Sequence, residues 1–221
     1  MSHKVHPYGH RLGVIRDWKS RWFASSGKYQ KFLKADVLAR EWLEKRLRGM
    51  YVDSIDIERG ANSLRITIKT SRPGMVIGRS GEGSNKIKSD LIVFFKKINS
   101  ELPKDFKLDI EEVKNPESHA AIAAQMIAEG LEKRLPFKRV AKQTMEKVMA
   151  VRGVQGVRVG LSGRLGGAEM GRSENLKRGR LPLQTLRADV DFAREKAYLA
   201  YGVIGIKVWI YRGDIFAKDN K

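Results

Sequence analysis

Apolar residues recur along this chain in two rhythms, one helical and one alternating. Leu33, Val37, Trp42, Leu43 and Leu47 return at helical steps between Lys28 and Arg48, with Gly49 where a C-terminal cap belongs, and predict a helix packed by one face. Ile55 and Ile57 then alternate with polar neighbours, Arg59 to Ser63 supplies a turn, and Leu64, Ile66 and Ile68 alternate again. That is the pattern of a hairpin with one buried face. Arg72-Pro73-Gly74 breaks the strand, Met75-Val76-Ile77 makes a short apolar piece, and Gly78-Arg79-Ser80-Gly81 leads into a second long helix marked by Ile87, Leu91, Phe94, Phe95 and Ile98. Phe106, Leu108 and Ile110 add a third strand.

Helix, strand, strand, short helix, Gly-x-x-Gly, helix, strand is an order that resembles the type II KH domain. There the Gly-x-x-Gly turn clamps the backbone of single-stranded nucleotides. Glycines let a phosphate approach, and the following helix N-terminus favours anions. The string itself is weak evidence, since 21 glycines repeat it elsewhere, and an ordinary helix–turn–helix connection is the competing explanation. Only the copy at Gly78 has a helix on both sides. Arg79 at the tip and Lys86 and Lys88 on the next helix favour phosphate contact.

The second half opens with Asn115-Pro116-Glu117, read as an N-cap, a proline at the first helical position and an acidic first turn, ahead of Ile122, Met126, Ile127 and Leu131. Pro136 starts another helix, in which Phe137, Val140, Ala141, Thr144, Met145, Val148 and Met149 keep one apolar face while Lys138, Arg139, Lys142 and Lys147 lie opposite. Such a face is commonly just solvated, but only Glu146 offers an i+4 partner, to Lys142, so the charge is left for an outside ligand. Val157–Leu161, Leu186–Phe192 and Ile204–Ile210 alternate as three strands, and residues 163–180 read as a long exposed loop of Gly and Arg. The predicted fold is α+β, a type II KH domain followed by two helices on an antiparallel sheet. The expected divisions are a basic N-terminal arm (1–27), the KH domain (28–113), the C-terminal domain (114–215) and a short tail (216–221).

Charge sharpens this picture. The 221 residues carry a formal net charge of +19, of which residues 1–50 hold +8, residues 51–132 hold −1, residues 133–180 hold +10 and residues 181–221 hold +2. Segregation of this kind points to a polyanion rather than to solubility alone. A Gly-rich, mostly non-helical basic stretch suits nucleic acid better than a membrane surface. Arg164, Arg172, Lys177, Arg178 and Arg180 suit an extended RNA backbone, because Arg forms bidentate phosphate bonds and Gly lets the main chain approach. The arm interleaves Arg11, Arg16, Lys19 and Arg21 with Tyr8, Trp18, Trp22 and Phe23, aromatics that either stack unpaired bases or anchor the arm.

Other chemistries find little. With no cysteine, thiolate metal sites, disulfides and thiol catalysis are excluded, and no Gly-x-x-x-x-Gly-Lys-Ser/Thr phosphate loop occurs. His3, His6 and His10 lack a scaffold for a metal, Asp189 and Asp191 read better as an Arg-paired strand face, and His119 as structural. No catalytic residue, metal or cofactor is expected. Nor is any apolar run long enough for a signal peptide or a bilayer span, so a soluble cytoplasmic protein without membrane partners is expected.

Longer blocks make a second resemblance. Lys4-Val5-His6-Pro7, Arg11-Leu12-Gly13, Arg72 to Gly78, Ser162 to Glu169, Leu186 to Asp191 and Tyr201 to Ile210 follow one another as in the bacterial KH-containing small-subunit ribosomal proteins numbered three, nearly end to end. The resemblance implies a structural, non-enzymatic constituent of the small-subunit head. It would contact ribosomal RNA and mRNA, neighbour the proteins numbered ten and fourteen, and not form a homo-oligomer. It assigns Lys138, Arg139 and Lys142 to incoming mRNA; Gly78, Arg79, Ser80, Gly81 and Lys86 to the KH loop; and Lys4, Arg11, Arg16, Arg164, Arg172, Lys177, Arg178 and Arg180 to ribosomal RNA. Three departures stand out: Arg79-Ser80 replaces two lysines, Asn175-Leu176 replaces an aromatic pair, and the tail after Ile215 is short. A free-standing KH regulator of transcripts is the alternative, separable by whether the protein sediments with ribosomal particles.

Overall fold

The computed structural model describes residues 5–60, 62–98, 103 and 105–216. Contacts divide the chain into two units, Trp18–Lys114 and, separately, Met1–Asp17 with Asn115–Lys221. No helix among the described residues is long and apolar enough to cross a membrane.

In the first unit, strands β1 (Ser20–Arg21), β2 (Val52–Arg59), β3 (Ser63–Thr70) and β4 (Asp105–Glu112) form a sheet in that order, parallel at both edges and antiparallel at the β2–β3 hairpin. The register puts Ile55 opposite Ile68 and Ile57 opposite Ile66, with Leu64 beside Phe106, so the alternating residues share one face. That face packs in one core with helices α2 (Ser26–Arg46) and α4 (Glu82–Lys97), joined by Val76 of the short α3 (Pro73–Ile77). The buried stripe of α2 is Ala35, Ala39, Leu43 and Leu47, whereas Leu33 and Val37, expected in the core, are exposed. Small alanines at i, i+4 spacing carry the contact, and bulky residues on the neighbouring stripe do not reach the sheet. A buried ion pair from Arg59 to Asp36 ties β2 to α2, with the guanidinium 4.7 Å from the Phe32 ring centre.

The second unit holds α1 (Pro7–His10), α5 (Ala120–Glu132), α6 (Phe137–Ala150) and strands β5 (Gly156–Gly163), β6 (Arg172–Gly179), β7 (Ala188–Leu199) and β8 (Gly202–Asp214). The sheet is antiparallel in the order β6-β5-β8-β7. Val157, Val159 and Leu161 of β5 and Ile204, Ile206, Val208 and Ile210 of β8 pack under α5 and α6 with Ile127, Leu131, Val140, Ala141, Met145 and Val148. The expected amphipathic pattern of α6 is the observed one.

Three readings change. Residues 172–179, expected inside a loop, are an edge strand, so successive side chains face opposite ways. Asn115 does not cap the helix: it has φ 54°, a 3-10 turn follows over Pro116–Ser118, and the Ala120 N–H that opens α5 donates to Asp191 Oδ2 at 2.8 Å. A strand carboxylate thus does the work of an N-cap side chain. Leu186 precedes its strand and is exposed. Within the expected arm, contacts group residues up to Asp17 with the C-terminal unit and Trp18 onwards with the other.

Candidate nucleic-acid interface

The Gly-x-x-Gly turn is built from backbone conformations that side chains resist. Gly78 (φ 71°) ends α3, Ser80 (φ 51°) and Gly81 (φ 81°) follow, and α4 begins at Glu82 with no side chain capping it. Arg79, Ser80 and Lys86 are exposed. Free N–H groups at a helix start beside an exposed guanidinium and ammonium suit a phosphate. The apolar pattern gives no sign of the part played by Gly83, where an added Cβ would stand 2.6 Å from the Val76 carbonyl oxygen and 2.8 Å from that of Ile77. This close approach of α4 to α3 shapes the turn. Its only sequence signal is a third glycine two residues past the motif.

The second basic group lies at the start of α6. Lys138, Arg139 and Lys142 are exposed, form no ion pair among the described residues, and line a shallow depression of about 490 Å³ with Gln143 and Glu146. Their backbone is held by Val140, Ala141 and Thr144, buried on the other side. Lys138 Nζ and Arg172 Cζ lie 5.9 and 5.7 Å from the Phe137 ring centre, so α6 and the start of β6 share one cationic edge. Because residues 172–179 form a strand, Arg172 and Arg178 face the helix side and Lys177 the opposite side; Arg180 follows the strand. Arg164 is exposed, but its guanidinium also donates to the carbonyls of Ala168 (2.9 Å) and Tyr201 (3.1 Å) and so shapes its own turn.

Two arm residues do other work. Arg11 is fully buried and donates to the carbonyls of Pro7, Pro182, Leu183 and Thr185, so it fastens the arm to the 182–185 segment and offers no surface to RNA. Arg16 is half-buried in an ion pair with Asp189. Lys4 and His3 lie outside the described residues. His6 accepts from Gly9 N–H and meets Phe192 edge-on. Trp22 packs on Tyr29 and Phe32, while Phe23 and Trp18 are exposed.

Arg212 bonds Asp191 Oδ2 (3.0 Å) and the Ser118 carbonyl, and lies 3.9 Å from Asp189, so the two aspartates are an Arg-paired strand face. Burial pushes the Asp191 carboxyl up, but Arg212, Arg16 and the Ala120 N–H together outweigh it and hold it below the ordinary carboxylate value.

The family model for the ribosomal protein S3 C-terminal domain matches residues 127–210, and that for the KH domain matches residues 39–118. The small ribosomal subunit protein uS3 of Hydrogenovibrio crunogenus is 45% identical over 218 residues, covering 99% of this chain and 92% of the relative. Those of Caldicellulosiruptor saccharolyticus and Nitrosococcus oceani are 44% and 41% identical over 220 residues, covering 96% and 95% of their lengths. The chain belongs to the uS3 family of small ribosomal subunit proteins. Membership in the uS3 family agrees with the α+β architecture seen here, a KH domain followed by the S3 C-terminal domain.

Proposed function

We propose that this protein is a cytoplasmic, RNA-binding structural constituent of the small ribosomal subunit, and that the start of α6 contacts mRNA at the entry channel. The observation that carries the second step is the unpaired cluster Lys138, Arg139 and Lys142, displayed on a helix whose opposite face is fixed in the core. Exposed ammonium and guanidinium groups on a rigid support hold a moving phosphate backbone without reading its bases. Ribosomal RNA is held in this reading by the KH turn at Gly78–Gly81 with Arg79 and Lys86, and by Arg164, Arg172, Lys177, Arg178 and Arg180. The proteins numbered ten and fourteen are its neighbours.

Removing the three α6 charges leaves folding intact and selectively slows translation of messages with a stable hairpin in the coding region. Ribosomes carrying the triple Ala variant, compared with parent ribosomes on hairpin-containing and unstructured messages, test this. Equal rates on both messages would overturn the mRNA contact.

A further inference from the structure

We propose that the face of the C-terminal sheet turned away from α5 and α6 is a platform on which unpaired RNA stacks its bases. Residues directly opposite in a ladder share a face. Since Val157, Val159 and Leu161 point under the helices, Arg158, Gly160 and Ser162 point away from them. Across the four strands one outward row reads Lys177, Arg158, Trp209, Phe192; the next Asn175, Gly160, Lys207, Arg194; the third Ser173, Ser162, Gly205, Lys196.

Every charged residue in those rows is basic. Of the acids on the same strands, Glu174, Glu195 and Asp191 pair with Leu161, Ile206 and Ile210 and therefore lie on the helix side, while Asp189 and Asp214 lie outside these rows, in ion pairs with Arg16 and Arg187. Lys177, Lys207 and Arg194 are exposed and enter no ion pair among the described residues. A sheet face of cations without anions attracts a polyanion.

Its centre is aromatic. Trp209 and Phe192 are half-buried with ring centres 5.0 Å apart. The Arg158 guanidinium lies 4.9 Å from the Trp209 ring centre and that of Arg194 5.4 Å from Phe192. Asn175 Oδ1 holds Arg158 at 3.1 Å. Gly160 makes room: a Cβ there would stand 2.9 Å from Asn175 Oδ1 and 3.5 Å from the Trp209 ring. Guanidinium planes and aromatic rings are the surfaces on which unpaired bases stack, and the surrounding lysines reach phosphates. A protein partner would favour a face poor in lysine, which this one is not.

The test measures binding of a labelled, unstructured oligouridylate to the full-length protein against salt concentration, for the parent, K177Q/R194Q/K207Q and, as a separate arm, the KH-loop variant R79E/K86E. The three face residues are exposed, so the fold persists, as circular dichroism checks. The face variant weakens binding, and its log affinity against log salt becomes shallower by about 2, at about 0.7 per lost phosphate contact on a single strand. RNA also quenches tryptophan emission in the parent and much less in W209F. Unchanged affinity and slope in the face variant, or equal quenching in W209F, would overturn the platform. If only R79E/K86E loses affinity, the KH-loop reading stands and the platform fails. A face variant that keeps RNA affinity but no longer enters the small subunit gives the face to a protein partner, and also overturns it.

Discussion

The outer faces of the two sheets use charge in opposite ways. In the KH unit the face away from the helices is stitched by ion pairs: Lys69 to Asp56 (3.1 Å) and Glu111 (4.0 Å), Arg65 to Asp109 (3.3 Å), and Arg21 to Glu58. Burial opposes the Lys69 charge, yet the Asp56 and Glu111 carboxylates outweigh it and raise its pKa. In the C-terminal unit the corresponding face offers Lys177, Arg158, Lys207 and Arg194 with no acid among them. The near-neutral middle of the chain is thus a surface that satisfies itself, whereas cations of residues 133–180, joined on this face by Arg194 and Lys207, make a surface that awaits a partner. Net charge locates the second kind of site and is blind to the first unit's contribution, a glycine turn.

The sharpest way to break this comparison is to remove a cation that serves the fold. Arg11→Ala leaves four carbonyls without their donor and a cavity behind it, and costs about 3–5 kcal/mol in chemical denaturation. A cost near zero would return Arg11 to the RNA-facing set. In the other unit Asp36→Ala strands the buried Arg59 guanidinium and costs about 3 kcal/mol by the same measurement. Gly83→Ala drives a Cβ into two carbonyl oxygens, costs about 1–3 kcal/mol, and lowers RNA affinity by deforming the turn without changing any charge. That outcome separates backbone shape from charge as the source of KH-unit binding.

The smallest effect at neutral pH belongs to Asp191. Its folded pKa lies below the unfolded value of about 4, so its stabilisation is complete above that value and is lost as pH falls through the folded pKa. Urea midpoints measured from pH 7 down to pH 3 fall less steeply in Asp191→Asn than in the parent, from a lower starting point.

Much of the fold was legible from periodicity, because Ile55, Ile57, Leu64, Ile66 and Ile68 repeat every second residue and the apolar residues of α6 every three or four. Residues 172–179 were not, because an edge strand of Arg, Ser, Glu, Asn and Lys carries no apolar alternation beyond Leu176 and gains its pairing from β5. The α2 stripe departs from its apolar pattern because small Ala35 and Ala39 are buried in the core while Leu33 and Val37 stay exposed. At the site, exposed cations were legible where nothing opposes them, as at Lys138. Arg11 was not, since three of its four acceptors are carbonyls more than 170 residues away in sequence.

The most direct test of the account sediments a cell lysate through a gradient at moderate and then high salt and probes each fraction for this chain. Co-migration with small subunits that survives the high-salt wash is the predicted result. A slowly sedimenting pool, free of the particle, would contradict it and favour a free-standing KH regulator.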